Sequence, residues 1–245
     1  MTILSIDLAS RNYSDLGLCH LAVRGRPEIL NPAALGLTGA PSPVDLASAI
    51  DRFCRQEDVS VLLLDGPQGW RWPESSIQHM RLCERVLNTP ARTGDPGQVK
   101  PRTYLHFVQF SIEVFREFRL RHGWSLLVED WPSHTNKRWV VETFPSVAWD
   151  LLGLPRLPGK QRCGALEVEA WRIRLEGATP YTLPKGLSHD ELQAIAALPA
   201  GVAIAEGRQD RVLLAGIDPI ISELGLVFEG LIACPRTAIA RRPSD

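Results

Sequence analysis

Three short apolar segments of this chain each close on an acid: Ile3-Leu4-Ser5-Ile6-Asp7, Val61-Leu62-Leu63-Leu64-Asp65 and Trp139-Val140-Val141-Glu142. Runs of this length, followed by polar, Gly or Pro residues, are strand signals. A strand that is apolar at consecutive positions must be covered on both faces, which points to an α/β layer architecture with a largely parallel core. If the three strands lie side by side and parallel, Asp7, Asp65 and Glu142 emerge together at the carboxyl edge, where open α/β sheets place their ligands. Carboxylates crowded there repel one another unless a cation neutralises them. Oxygen donors alone select a hard ion, Mg²⁺ or Mn²⁺, over zinc.

The remaining pattern fills in a single domain over residues 1–245. A second strand is expected at Leu16 to Val23 and a third at Glu28 to Leu30, with a helix over Pro43 to Gln56. Residues 66–138 form a helical insertion or lid with helices near Ser75 to Leu87 and Thr103 to Arg121. The Pro- and Gly-containing loop between them, Asn88 to Pro101, is its candidate mobile part. His79 and Cys83 then stand one turn apart on a packed helix. Helical turns follow at Ser146 to Leu152, Gly164 to Glu176 and Ser188 to Leu198, and a terminal strand or hairpin at Leu226 to Ile232. Arg241 to Asp245 reads as a frayed tail.

A fourth acid comes from Ser188-His189-Asp190-Glu191, which matches an S-x-x-E capping box with Ser188 as N-cap and Glu191 as its partner. Asp190 then lies in the first helical turn, where the dipole favours an anion. His189 beside it can ligate or move a proton. No histidine pair, among His20, His79, His106, His122 and His134, has HExxH or HxH spacing. Walker A, GxSxG and GxGxxG patterns are absent, so P-loop, hydrolase-elbow and Rossmann chemistries fall away.

In that order, Ser5-Ile6-Asp7-Leu8-Ala9, Leu64-Asp65-Gly66-Pro67, Glu142-Thr143-Phe144-Pro145-Ser146 and His189-Asp190-Glu191-Leu192, with Arg81-Leu82-Cys83-Glu84 as a looser match, resemble the predicted RNase H-like nucleases grouped as domain of unknown function 429. The resemblance covers most of the chain. It implies an RNase H-like mixed five-stranded sheet of order 3-2-1-4-5, flanked by helices, with the helical insertion after strand 4. It also implies that the carboxylates are the active-site residues. The chain departs from the pattern at Gln193, where relatives often carry a second Asp.

The expected activity is metal-dependent hydrolysis of phosphodiester bonds by a nuclease or phosphodiesterase. Asp7 bridges the ions, Asp65 and Glu142 complete their shells, and Asp190 or His189 holds one ion or moves the proton. The expected partner is a nucleic acid or nucleotide. With a net charge of -1, any phosphate contact must be local. The basic stretch Arg81, Arg85, Arg92, Lys100, Arg102 is the richest, followed by Arg116, Arg119 and Arg121; interspersed glutamates give the competing reading of solvated helix faces. Ser10, Asn12, Arg81 and Arg85 are the candidate substrate contacts, and Trp70 and Trp72 a candidate stacking surface. Two alternatives remain: a noncatalytic RNase H-like binding or scaffold protein, motivated by Gln193, and an actin-like or sugar-kinase-like protein whose Ser10, Asn12 and Ser14 loop cradles phosphate. Five cysteines without CxxC spacing suit a reducing compartment. No apolar run approaches the ~20 residues of a membrane span, and Met1 leads directly into the first strand. A cytoplasmic location without membrane contact is therefore expected.

Overall fold

The structure is a computed structural model that describes residues 2–22, 25–131 and 137–236. The tail expected at Arg241 to Asp245, His134 and the expected strand end at Val23 lie outside the described residues. Strand β1 (Thr2–Asp7) runs antiparallel to β2 (Gly17–Ala22), which carries the short β3 (Glu28–Ile29). Helix α1 (Pro43–Gln56) crosses back to β4 (Val59–Asp65), parallel to β1. The insertion holds α2 (Leu82–Leu87), a hairpin of β5 (Arg92–Thr93) and β6 (Val99–Lys100), α3 (Leu105–His122) and β7 (Ser125–Leu126). Then come β8 (Trp139–Thr143), parallel to β4, and helices α4 (Pro145–Leu151), α5 (Ala165–Ala178) and α6 (His189–Ala205). The antiparallel hairpin of β9 (Val212–Ile221) and β10 (Val227–Pro235) ends the described fold, with β10 parallel to β8.

The sheet order is β3-β2-β1-β4-β8-β10-β9, with β7 pairing beside β8. Its first five positions are the RNase H-like order 3-2-1-4-5, and the insertion does follow the fourth strand. The two extra strands widen that core. β9 carries no clean apolar alternation because Asp218-Pro219 interrupts it, and a strand containing Pro survives here only because it lies at the sheet's edge.

Strand pleating sorts the core into two layers. Ile3, Val61, Leu63, Trp139 and Val141 pack on one face with α6, whereas Leu4, Ile6, Leu62, Leu64 and Val140 pack on the other with α1 and α3. Both sets are fully buried or nearly so, which is why β4 reads as a continuous apolar run. Each such side chain contributes about 1.5–3 kcal/mol by leaving water. Among the described residues no helix is long and apolar enough to cross a membrane.

Two helices differ from the sequence expectation. The helix expected from Ser75 begins only at Leu82, because the Arg71 guanidinium takes the carbonyls of Trp72, Ser75 and Ile77 at 3.0–3.3 Å, and His79 adopts a left-handed φ of 65°. His79 is therefore exposed, outside the helix that buries Cys83. At the other end, α6 continues through Pro199 to Ala205 instead of stopping at Leu198. Burial of Ala200, Gly201, Ala203 and Ile204 against the sheet outweighs the one backbone hydrogen bond that proline removes. Trp70 and Trp72 are also core material: Trp70 is buried and Trp72 packs edge-on against Phe228, so they do not form an open stacking surface.

Candidate active site at the carboxyl edge of the sheet

Asp7 and Asp65 occupy paired positions on adjacent parallel strands, β1 and β4. Equal register and equal pleat phase place both on the α6 side of the sheet, close enough that each carboxyl shifts the titration of the other. Burial, then the neighbouring charges of Asp65 and Asp190, pushes Asp7 well above the usual carboxylate range. Burial and the charge of Glu142 raise Asp65 to about 7, although the neighbouring Asp7 carboxyl works in the opposite direction.

Asp190 reaches this pair from the first turn of α6. The capping box forms as expected: Ser188 Oγ accepts from the Glu191 amide at 3.2 Å, and Glu191 Oε2 accepts from the Ser188 amide at 2.7 Å. Gly17, opposite Asp7 on β2, lets the helix end approach, since a Cβ there would lie 2.1 Å from the Asp190 carbonyl oxygen. Burial alone would raise the Asp190 carboxyl. Hydrogen bonds from His189 at 3.0 Å and Lys160 at 2.5 Å instead hold it below the usual range. The same Lys160 ammonium reaches Asp15 at 3.0 Å, and the second His189 nitrogen lies 3.0 Å from the Pro158 carbonyl. Lys160 belongs to no motif in the sequence; it stands in a 3-10 turn, Lys160–Arg162, that only the tertiary fold brings to Asp190.

Glu142 lies near the end of β8, one residue before its last, and pairs with Leu64, one position before Asp65. The half-step puts Glu142 in the opposite pleat phase from the aspartates. There Arg81 takes both of its oxygens, with Nη1 donating to Oε2 at 2.8 Å and Nη2 to Oε1 at 2.7 Å, and the Gln68 amide donates at 2.9 Å. Arg81 also donates through Nε to Glu84 at 3.0 Å, and Glu84 accepts from the Thr93 amide at 2.7 Å. Glu229 anchors the same region by accepting from the Trp72 and Leu82 amides at 3.1 and 2.9 Å. The three acids at the strand ends thus divide into an aspartate pair with Asp190 on one side and an Arg-locked glutamate on the other. Among the described residues no three His, Cys, Asp or Glu side chains stand together as a ready metal-holding set.

A cleft of about 410 Å³ opens beside this edge, lined by Asp65, Glu142, Ser10, Arg11, Tyr104 and Phe107 among others. Ser10 faces it. Asn12 instead caps a 3-10 turn by accepting from the Ser14 amide at 3.1 Å. Arg81 is 1% exposed and committed to carboxylates, while Arg85 is exposed on α2 away from the cleft lining. Gln193 does not face the aspartates freely, because its Oε1 accepts from Trp149 Nε1 at 2.8 Å.

No protein-family model matches the sequence, and no curated protein matches it. Among solved structures the chain is similar to Thermus thermophilus RuvC, at 13% identity over 85% of this chain and 98% of that one, with a TM-score of 0.37. The T. thermophilus RuvC in complex with Holliday junction substrate gives the same identity and score over 97% of its chain. At that score the likeness transfers no residue's role.

Proposed function

We propose that this protein is a divalent-metal-dependent hydrolase of phosphodiester bonds, with nucleic acid or a nucleotide as substrate. The observation that carries this reading is the pairing of Asp7 with Asp65 at one register, with Asp190 facing them. Two carboxyls that burial and like charge make reluctant to ionise together are suited to take up a cation. Asp7 and Asp65 would hold a Mg²⁺ or Mn²⁺ ion, and Asp190 would join them on parting from Lys160. Such an ion, when bound, supplies Lewis-acid stabilisation of the phosphoryl oxygens and a more acidic water. Glu142 serves this site through Arg81, which neutralises it and fixes the cleft wall. His189, pinned between Asp190 and Pro158, is the group placed to move a proton at the α6 end. The insertion 66–138 acts as the lid, since its hairpin and α3 wall the cleft.

Hydrolysis of bis(p-nitrophenyl) phosphate and of labelled oligonucleotides with added Mn²⁺ tests the proposal. Asp7→Asn and Asp65→Asn are each expected to lose more activity than the ~10–100-fold that removal of an outer-shell partner costs. Full activity in either variant refutes it. The Lys160 ammonium on Asp190 favours a second reading, a noncatalytic binding protein in which lysine is the permanent counter-ion. That reading requires that neither ion alter the melting temperature.

A further inference from the structure

The basic stretch of the sequence does not form one face. Arg81 is drawn inward, whereas Arg92, Lys100 and Arg102 collect with His79 around a separate pocket of about 310 Å³ on the β5–β6 hairpin. Gly94, Gly97, Gln98 and Val99 complete its lining, and no acidic residue contributes. The only hairpin acid, Asp95, is committed to Arg71 at 2.7 Å.

Strand pairing explains the arrangement. Arg92 sits directly opposite Lys100, and Thr93 opposite Val99. Thr93 and Val99 are buried toward the protein, so Arg92 and Lys100 share the outer face. Like charges directly opposite each other, ~4.5–5.5 Å apart at Cβ, destabilise a ladder. Here nothing offsets the repulsion: among the described residues the side chains of His79, Arg92, Lys100 and Arg102 have no hydrogen-bond or ion-pair partner. In a chain of net charge -1, three unpaired cations on a two-residue ladder and its continuation are a concentrated exception.

The hairpin also divides two spaces. Its residue Thr93 lines the carboxylate cleft while Arg92 lines the basic pocket; in the 3-10 turn after β6, Arg102–Tyr104, Arg102 lines the basic pocket while Thr103 and Tyr104 line the cleft. The basic outer face therefore lies beside a cleft edged by the exposed Tyr104 and by Phe107. Phosphate contacts followed by aromatic rings are how sequence-tolerant sites hold single strands.

We propose that the outer face of the β5–β6 hairpin, built from Arg92, Lys100 and Arg102 with His79, binds the phosphate backbone of a single-stranded nucleic acid and feeds it into the carboxylate cleft. This rests on the phosphodiesterase reading of the cleft and names its substrate class.

Fluorescence anisotropy of a labelled single-stranded oligonucleotide with the intact protein in EDTA reads this site without cleavage. The triple variant Arg92→Gln, Lys100→Gln, Arg102→Gln is expected to bind at least about tenfold more weakly and to reduce the salt slope by about 2, at ~0.7 per phosphate contact. Removing like charges relieves the ladder, so the variant should fold; if its melting curve is lost, Arg92→Gln alone should lower the slope by about 0.7. Unchanged affinity and slope in a folded variant overturn the proposal. Equal affinity for a duplex, or equal competition by tripolyphosphate at matched phosphate concentration, overturns the single-strand assignment. Bis(p-nitrophenyl) phosphate hydrolysis by the unsubstituted protein tests the cleft independently, so the two readings fail separately.

Discussion

Arg81 and Glu142 are buried to nearly the same depth, with side chains 1% and 3% exposed, and meet through two parallel N–H···O bonds. The pair joins the insertion to the central sheet, and Glu84 shares the same guanidinium. Removing one partner of such a pair costs about 3–5 kcal/mol, because the other charge stays buried and uncompensated. Arg81→Ala should therefore be among the most destabilising single substitutions in the chain, as read by urea denaturation. Arg81→Lys should recover little, since an ammonium cannot reproduce the bidentate contact. A loss below about 1 kcal/mol would show that the buried pair is not as drawn.

The aspartate pair makes a signed prediction about pH. Asp7 and Asp65 titrate higher in the folded protein than in the unfolded chain, where a carboxyl titrates near ~3.9. The native state thus binds extra protons, and this contribution is fully present below the unfolded value and lost as pH rises through about 7. Asp190, held below the usual range, contributes in the opposite sense and loses its share in acid. Metal-free protein should melt progressively lower as pH is raised from about 5 to about 8. Asp65→Asn should flatten that profile and raise the melting temperature at its alkaline end. Parallel profiles for the two proteins would exclude the raised titration of Asp65.

Much of this site was legible in the sequence, but only to the level of the strand. That Asp7, Asp65 and Glu142 each stand at the carboxyl end of a strand follows from apolar runs ending in acids, and the Ser188–Glu191 capping box was readable from spacing alone. The relative register was not: a half-step between β4 and β8 decides that Glu142 faces Arg81 instead of the aspartates, and register depends on tertiary packing. Arg81 misled for a related reason. A basic residue among other basic residues reads as surface, and nothing local reveals that two buried glutamates, Glu84 and Glu142, await it. The insertion's first helix failed because Arg71 diverts carbonyls that helical periodicity would have used. Lys160 and Gly17 carried no motif; both matter only through what α6 brings beside them.

Divalent metal should act on stability as well as on rate. A ligand that binds only the folded state contributes about 2.7 kcal/mol at a concentration 100 times its Kd. Mn²⁺ or Mg²⁺ should therefore raise the melting temperature, most above about pH 7, where Asp65 no longer holds its proton. Asp7→Asn should remove most of that gain. Lys160→Ala should increase it, because Asp190 then loses the ammonium that competes with the ion. Differential scanning calorimetry with and without metal distinguishes these outcomes, and identical curves in all conditions would favour the lysine-neutralised binding protein.

Gly17 tests whether the position of Asp190 matters beyond its charge. An alanine methyl there would meet the Asp190 carbonyl oxygen at 2.1 Å and the Glu191 amide nitrogen at 2.8 Å, both backbone atoms that cannot rotate aside. The first turn of α6 must then retreat from β2, and Asp190 and His189 move with it. Overpacking of this kind costs about 1–3 kcal/mol. A misplacement near ~1 Å at a reacting centre costs about 100-fold in rate, so phosphodiester hydrolysis should fall far more than melting does. Gly177→Ala on α5 provides the control, since its methyl would meet nothing within 4 Å and helical alanine is the better residue by about 0.8–1.0 kcal/mol. Gly17→Ala retaining full hydrolysis would mean that the α6 end takes no part in the chemistry, leaving Asp7 and Asp65 as the whole of the site.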